Sequence, residues 1–191
     1  MLDVLYIALL SYICGSIPSG LILGLVLNKG DIRNSGSGNI GATNAVRVGG
    51  KFFGLLVFIL DFLKAFIPTS IVAYYYKDSF YTSISALSII GHIFPIWLKF
   101  KGGKGVATSF GYIAAINFYI FLLTLSIWVA IFLKTRISSI ASLLSIISPV
   151  IISLFYEDMY IFTSCISIAA LVYCKHISNI MRLTSGKEWR F

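Results

Sequence analysis

VATSFGYIAAINFYIFLLTLSIWVAIFL, residues 106–133, runs 28 positions without a charge. As a single helix rising about 1.5 Å per residue it would reach about 42 Å. A hydrocarbon core of about 30 Å would hold it only at a large tilt. The alternative is two shorter helices that turn near Asn117, one reaching in from each side. The number of membrane spans, and the side on which every loop lies, depends on that choice.

The flanking sequence favours the turn. Residues 4–27, 52–76, 80–98, 137–155 and 159–174 each have the length and apolarity of a further span. With two helices in 106–133 there are seven spans, and of the 15 Lys and Arg all but Lys64 and Lys77 fall on one side. Asp3, Asp78, Glu157 and Asp158 fall on the other. A single long helix divides the cations evenly. Because cytoplasmic loops collect Lys and Arg, the sequence predicts seven transmembrane helices, some of them short. The N-terminus is then outside and the C-terminus cytoplasmic.

Composition supports a membrane scaffold. The chain of 191 residues is 58% hydrophobic and only 12% charged, against about 25% charged in soluble domains. Its mean hydropathy is +0.92. The net charge of +8 could suggest nucleic acid. Positive-inside loops account for it without any nucleic-acid partner. The length suits one domain, residues 1–191. The first apolar run has Asp3 where a signal peptide has basic residues, so it is expected to be a retained helix. Cys14, Cys165 and Cys174 have no metal-ligand spacing and are expected to pack as small apolar groups, without a disulfide.

Glycine and cations concentrate in three segments, residues 31–51, 92–108 and 176–188. The first contains Gly36-Ser37-Gly38-Asn39-Ile40-Gly41, a formal G-x-G-x-x-G. The dinucleotide reading of that pattern needs a preceding strand and a later acidic residue in a βαβ unit. Here a membrane helix precedes it. What remains is a loop whose backbone N–H groups can converge on an anion. Ser37, Asn39, Thr43 and Asn44 add donors, and Arg33 and Arg47 add charge. The second segment, Lys99-Phe100-Lys101-Gly102-Gly103-Lys104-Gly105, is not a P-loop, because Gly105 stands where Ser or Thr would follow the lysine. Lys104 opening a helix after two glycines still suits an anion. In the third, His176, Asn179 and Arg182 lie at i, i+3 and i+6, one face of a helix.

His92 and His176 lack the company of a metal site, so no metal is expected. His92 alone is equally readable as a hydrogen-bonded residue at a helix end. Asp61 and Lys64 stand three apart inside a span, where each charge costs about 2.5–3.5 kcal/mol to insert. They are expected to pair with each other. The serines at 138, 139, 142 and 145 read as close helix packing.

Together these segments resemble the signatures of the bacterial acyl-phosphate-dependent glycerol-3-phosphate acyltransferase family. The resemblance covers Gly15-Ser16-Ile17-Pro18-Ser19, residues 36–44, His92-Ile93-Phe94-Pro95 with residues 100–108, and residues 176–183 with Gly186 and Glu188. Ala65 departs from it, since the family often has glycine after this lysine. The resemblance implies transfer of a fatty acyl group from acyl phosphate to the 1-hydroxyl of glycerol 3-phosphate, giving lysophosphatidic acid and inorganic phosphate. It implies catalytic roles for Asn179, His176, Lys104 and Ser37. Substrate-binding roles follow for Gly38, Asn39, Gly41, Thr43, Asn44, Arg47, His92, Lys101, Gly102, Gly103, Gly105, Arg182 and Glu188. No cofactor is implied. The expected partners are the two substrates and membrane lipid, and the expected state is a monomer in the inner (plasma) membrane with its active site facing the cytoplasm.

Two rivals are weaker. Acyl-CoA transferases of the His-x-x-x-x-Asp type fail, because Trp97 and Met181 stand five residues after the two histidines. A membrane anion or phosphate transporter suits the Gly and Pro breaks near residues 15–20. Transporter sites lie near the midplane, whereas these cations gather at one face.

Overall fold

The computed structural model describes residues 1–191, and every regular element in it is a helix. Helices α1 (Leu2–Ser16) and α2 (Ser19–Val26) are separated at Pro18 and together form the first candidate span. Helix α3 (Ala42–Tyr76) holds 35 residues and is kinked at Gly50, where φ is +86°. The segment read as a loop over 31–51 therefore becomes helical from Ala42. Arg47 is carried on that first helical stretch. Helices α4 (Ser79–Ile84) and α5 (Leu87–Ile93) form the return span.

The ambiguous stretch divides at Asn117. Helix α6 (Val106–Ile116) has 11 residues and α7 (Phe118–Thr135) has 18. Asn117 is extended, and its side chain accepts from the N–H groups of Tyr119 and Ile120 at 3.0 and 3.1 Å. That capping explains why the helix stops and restarts at this residue. The halves are unequal: α7 is long enough to cross alone, while α6 is a short helix packed along α3. Helices α8 (Ser138–Ser145), α9 (Ile147–Ser153), α10 (Met159–Lys175) and α11 (Ile177–Thr184) complete the chain. Four helical stretches are long and apolar enough to cross a membrane. A fifth results if α10 and α11, bent by 57°, form one broken span.

Close backbone contact holds the bundle together. A Cβ on Gly15 would lie 1.9 Å from the Ser88 carbonyl oxygen, so α1 and α5 touch backbone to backbone. Small residues allow this approach, which replaces the water-driven burial that lipid does not supply. Outward-facing positions such as Leu9, Leu10, Ile67 and Ile71 are exposed, as a lipid-facing surface requires. Aromatic and polar contacts gather the turns at the end away from the glycine-rich segments. Tyr76 donates to Asp3, Phe80 stacks edge-on with Tyr160, and Asn117 donates to Tyr156.

Candidate active site

The first segment is folded by one buried amide. Asn44, only 1% exposed, donates to the carbonyls of Ile32, Ser35 and Asn39 at 2.8–3.1 Å. Its oxygen accepts from the Ser37 N–H at 2.8 Å. Both of its N–H donors are spent on the loop, which leaves none for an anionic ligand. Arg33 is likewise engaged, paired with Asp31 at 2.6 Å. Ser37, Gly38 and Asn39 of this loop face one cavity, and Arg33, Gly38 and Ile40 face a second.

The second segment turns back on the end of α5. Gly103 donates to the His92 carbonyl at 3.0 Å and Gly102 to that of Ile93 at 3.1 Å. Lys104 then reaches Asn179 on α11, its ammonium donating to the amide oxygen. The Asn179 nitrogen donates to Glu188 at 2.6 Å, so both ends of this amide are occupied. Glu188 is the hub of the third segment. It accepts from Asn179, from Arg182 at 2.7 Å and from Ser139 at 2.9 Å. Ser139 therefore does more than pack. Its hydroxyl ties α8 to the hub.

Charge at the site follows from this wiring. Burial works to raise the Glu188 pKa, but hydrogen bonds from Asn179, Arg182 and Ser139 outweigh it and the carboxyl is lowered from 4.5. Burial drives the Lys104 ammonium down from 10.5 to about 8, with Glu188 opposing and Arg182 and Arg47 reinforcing. His176, 3% exposed at the bend between α10 and α11, has Nδ1 2.7 Å from the Val172 carbonyl. A carbonyl can only accept, so Nδ1 carries the proton and Nε2 is left as the acceptor.

Two cavities meet here. The smaller, about 250 Å³, has no hydrophobic lining; Ser37, Gly38, Asn39, Gly102, Gly103, Lys104, Lys175, Ser178 and Arg182 form its wall. All three glycine- and cation-rich segments contribute to it. The larger, about 670 Å³, mixes Ile40, Trp97, Leu98 and Phe100 with Arg33, Lys99, Lys101 and Lys175. The two share Gly38, Gly102 and Lys175. A wholly polar cationic chamber thus opens beside a half-apolar one, an arrangement suited to a small phosphorylated polar molecule beside an amphiphile with an anionic head.

Several expected ligands lie elsewhere. Gly41, Thr43, Asn44, Arg47, His92, Gly105, His176, Asn179 and Glu188 line neither cavity. Arg47 sits beneath the rings of Phe191 and Trp189, with its guanidinium carbon 4.8 and 5.3 Å from their centroids. Lys175 and Ser178 are lining residues that sequence reasoning passed over. Ser178 stands three residues after Lys175 and four before Arg182, the spacing of one helical face, and that was the available signal.

The chain matches the family model described as glycerol-3-phosphate acyltransferase over residues 5–186. It is 46% identical over 188 residues to a glycerol-3-phosphate acyltransferase of Wolbachia pipientis wMel, covering 97% of this chain and 96% of the relative. A Pelagibacter ubique protein of the same name is 43% identical, covering 98% and 97%. The fold is similar to crystal structures of PlsY, an integral membrane glycerol 3-phosphate acyltransferase, in glycerol 3-phosphate and lysophosphatidic acid forms. For both the TM-score is 0.91 at 38% identity, covering 98% of this chain and 95% of PlsY.

Proposed function

The chain belongs to the glycerol-3-phosphate acyltransferase family, and from that premise we propose how its residues carry the transfer. The 1-hydroxyl of glycerol 3-phosphate attacks the carbonyl carbon of a fatty acyl phosphate. The bond from that carbon to the phosphate oxygen breaks, and inorganic phosphate leaves. The hydroxyl proton passes to a phosphate oxygen, and 1-acyl-glycerol 3-phosphate forms. The donor is already activated, so no protein nucleophile is required. Catalysis is positioning and charge stabilisation.

One observation carries this reading: the wholly polar cavity lined by all three segments opens into the half-apolar one. Glycerol 3-phosphate occupies the polar cavity against Ser37, Asn39 and Arg182. The donor's phosphate sits at the Gly102–Lys104 turn with Lys175, where the Lys104 N–H and two cations meet it while the Gly102 and Gly103 N–H groups anchor the turn to α5. Its acyl chain leaves along Trp97 and Phe100 toward the lipid, and Lys101 flanks its path. Asn179 and Glu188 hold Lys104 and Arg182 in place. His176, which lines neither cavity, acts from behind the site by fixing the bend between α10 and α11 that carries Lys175, Ser178 and Arg182. Gly41, Thr43, Asn44, Arg47 and Gly105 shape the two loops from behind.

The whole chain, residues 1–191, acts as one membrane domain and as a monomer, with seven membrane helices once α6 and the α8–α9 pair are counted. Positive-inside charge puts the N-terminus outside and the active-site end in the cytoplasm, which makes the host bilayer the inner (plasma) membrane.

The test offers purified protein glycerol 3-phosphate with palmitoyl phosphate, palmitoyl-CoA or palmitoyl carrier protein in parallel. Lysophosphatidic acid and phosphate from the acyl phosphate alone are the expected outcome. Product from a thioester would overturn the donor assignment. Phosphate uptake into liposomes without any acylation would favour the transporter.

A further inference from the structure

Asp61, Lys64 and His92 form a buried cluster that takes no part in the transfer described above. Lys64 meets Asp61 at 2.8 Å, the pairing the sequence predicts, and also donates to the Ile17 carbonyl at 3.1 Å. Asp61 Oδ1 faces His92 Nδ1 at 3.6 Å, and the side chains of both are 3% exposed. A charge in this position is expensive unless it is partnered. Lys64 meets that need for Asp61 without the histidine. Something else accounts for an imidazole being buried beside the pair.

The other edge of the ring supplies an answer. A Cβ placed on Gly103 would lie 2.0 Å from His92 Nε2, 2.6 Å from Cε1 and 3.0 Å from Cδ2. The imidazole is thus in direct contact with the backbone of the glycine turn, and His92 itself does not line the cavity that Gly103 lines. The same residue's carbonyl accepts the Gly103 N–H at 3.0 Å, so side chain and backbone of His92 both bear on one glycine. The cluster spans α3, α5 and the α1–α2 break, all rigid elements of the bundle.

We infer that His92 is a positioning residue rather than a substrate ligand: its imidazole, wedged between the buried Asp61–Lys64 pair and Gly103, sets the height and tilt of the Gly102–Lys104 turn. The inference rests on the proposed role of that turn as the seat of the donor phosphate. With the Gly102 and Gly103 N–H groups bound to the end of α5, what the turn presents to the cavity is Lys104, and such a donor stabilises charge only when its direction is fixed before the reaction. Displacement of a site by about 1 Å can cost about a hundredfold in rate. A pedestal behind the glycines fixes the turn without placing a side chain where the substrate must lie.

Three variants test it: Gly103→Ala, His92→Ala, and the two combined. All are assayed with palmitoyl phosphate and glycerol 3-phosphate, and folding is checked by thermal unfolding in detergent. Gly103→Ala alone should lower kcat/KM for palmitoyl phosphate by about a hundredfold, because the new methyl collides with the ring and lifts the turn. His92→Ala should raise the KM for palmitoyl phosphate more than the KM for glycerol 3-phosphate. The double variant should recover about tenfold over Gly103→Ala, since removing the ring makes room for the methyl. A double variant as slow as Gly103→Ala, or slower, would overturn the inference. In a second arm, Asp61→Asn with Lys64→Met keeps the buried pair neutral and foldable. It should raise the KM for palmitoyl phosphate selectively, and an unchanged KM would also overturn the inference. An active wild type with an additive cycle sinks this inference alone. A wild type silent toward palmitoyl phosphate sinks the functional reading and this inference with it.

Discussion

Lys104 and Asn179 meet side chain to side chain although 75 positions separate them in the chain. Asn179 passes the contact on to Glu188, which also holds Arg182 and Ser139. Lys104 is therefore wired to the last turns of the protein. Residues joined in one network do not contribute independently. Lys104→Ala and Asn179→Ala should each lower turnover at least about tenfold, the usual loss for a preorganised donor. The double variant should lose little beyond the worse single one. Steady-state kinetics of the three proteins checks this, and fully multiplicative losses would separate the two roles.

With Lys104 in its proposed role, a pKa of about 8 should set the alkaline limit of activity. Phosphate binding needs the ammonium, and kcat/KM reports the free enzyme. It should fall as pH rises through about 8. Stability should move the other way. Between the folded value of about 8 and the ordinary 10.5 the unfolded chain binds the extra proton, so this group's contribution to stability rises with pH. Loss of activity above pH 8 with no fall in unfolding temperature is the expected pairing. Lys104→Arg, whose charge persists, should remove the limb while lowering the maximum rate.

Glu188 tunes that same limit. Its carboxylate is one of the groups that hold the Lys104 pKa up. Glu188→Gln should therefore shift the alkaline limb to lower pH and lower kcat/KM by about tenfold as Arg182 loses its partner. The sign in acid differs. The folded carboxyl titrates below 4.5, so its contribution to stability is present above that pH and is lost as pH falls. Glu188→Gln should flatten the acid side of a plot of unfolding temperature against pH.

Arg47 is held by two rings rather than by a carboxylate. Its guanidinium carbon lies 4.8 Å from the Phe191 ring and 5.3 Å from that of Trp189. Phe191 is itself fixed, donating from its N–H to the Arg136 carbonyl at 2.9 Å. A partly exposed cation–π contact is worth about 0.5–1 kcal/mol. Trp189→Ala with Phe191→Ala should lower the unfolding temperature by a few degrees and raise the KM for glycerol 3-phosphate. An unchanged KM would limit this clasp to stability.

Much of this was legible in the sequence because membranes impose strong rules. A charge-poor run must be helical, and a side-chain cap such as Asn117 marks where 28 apolar residues break. Glycine beside lysine predicts a backbone anion site, and residues of all three glycine- and cation-rich segments line one cavity. What pattern could not supply was direction. Asn44 and Asn39 look alike as donors in the sequence, yet Asn44 is consumed by its own loop and Asn39 faces the cavity. Histidine spacing likewise gave no sign that the imidazole of His92 lies beneath a glycine. The reach of Glu188 back to Ser139 is a contact across 49 positions that no local periodicity encodes.

Asn117 also decides orientation. It caps α7 and donates to Tyr156, at the end of the bundle opposite Lys104. If α6 reaches only part of the way into the bilayer and α7 returns the full distance, a cysteine at 117 must lie near the outer face. One at Ser185 must lie in the cytoplasm with the active site. A membrane-impermeant maleimide added to intact cells should label Asn117→Cys and spare Ser185→Cys, in a background lacking Cys14, Cys165 and Cys174. Disrupting the cells should expose the second site. The reverse labelling would turn the protein over and place its cations against the positive-inside rule. Labelling of both sites only after disruption would put residue 117 on the cytoplasmic side and sink the seven-helix topology.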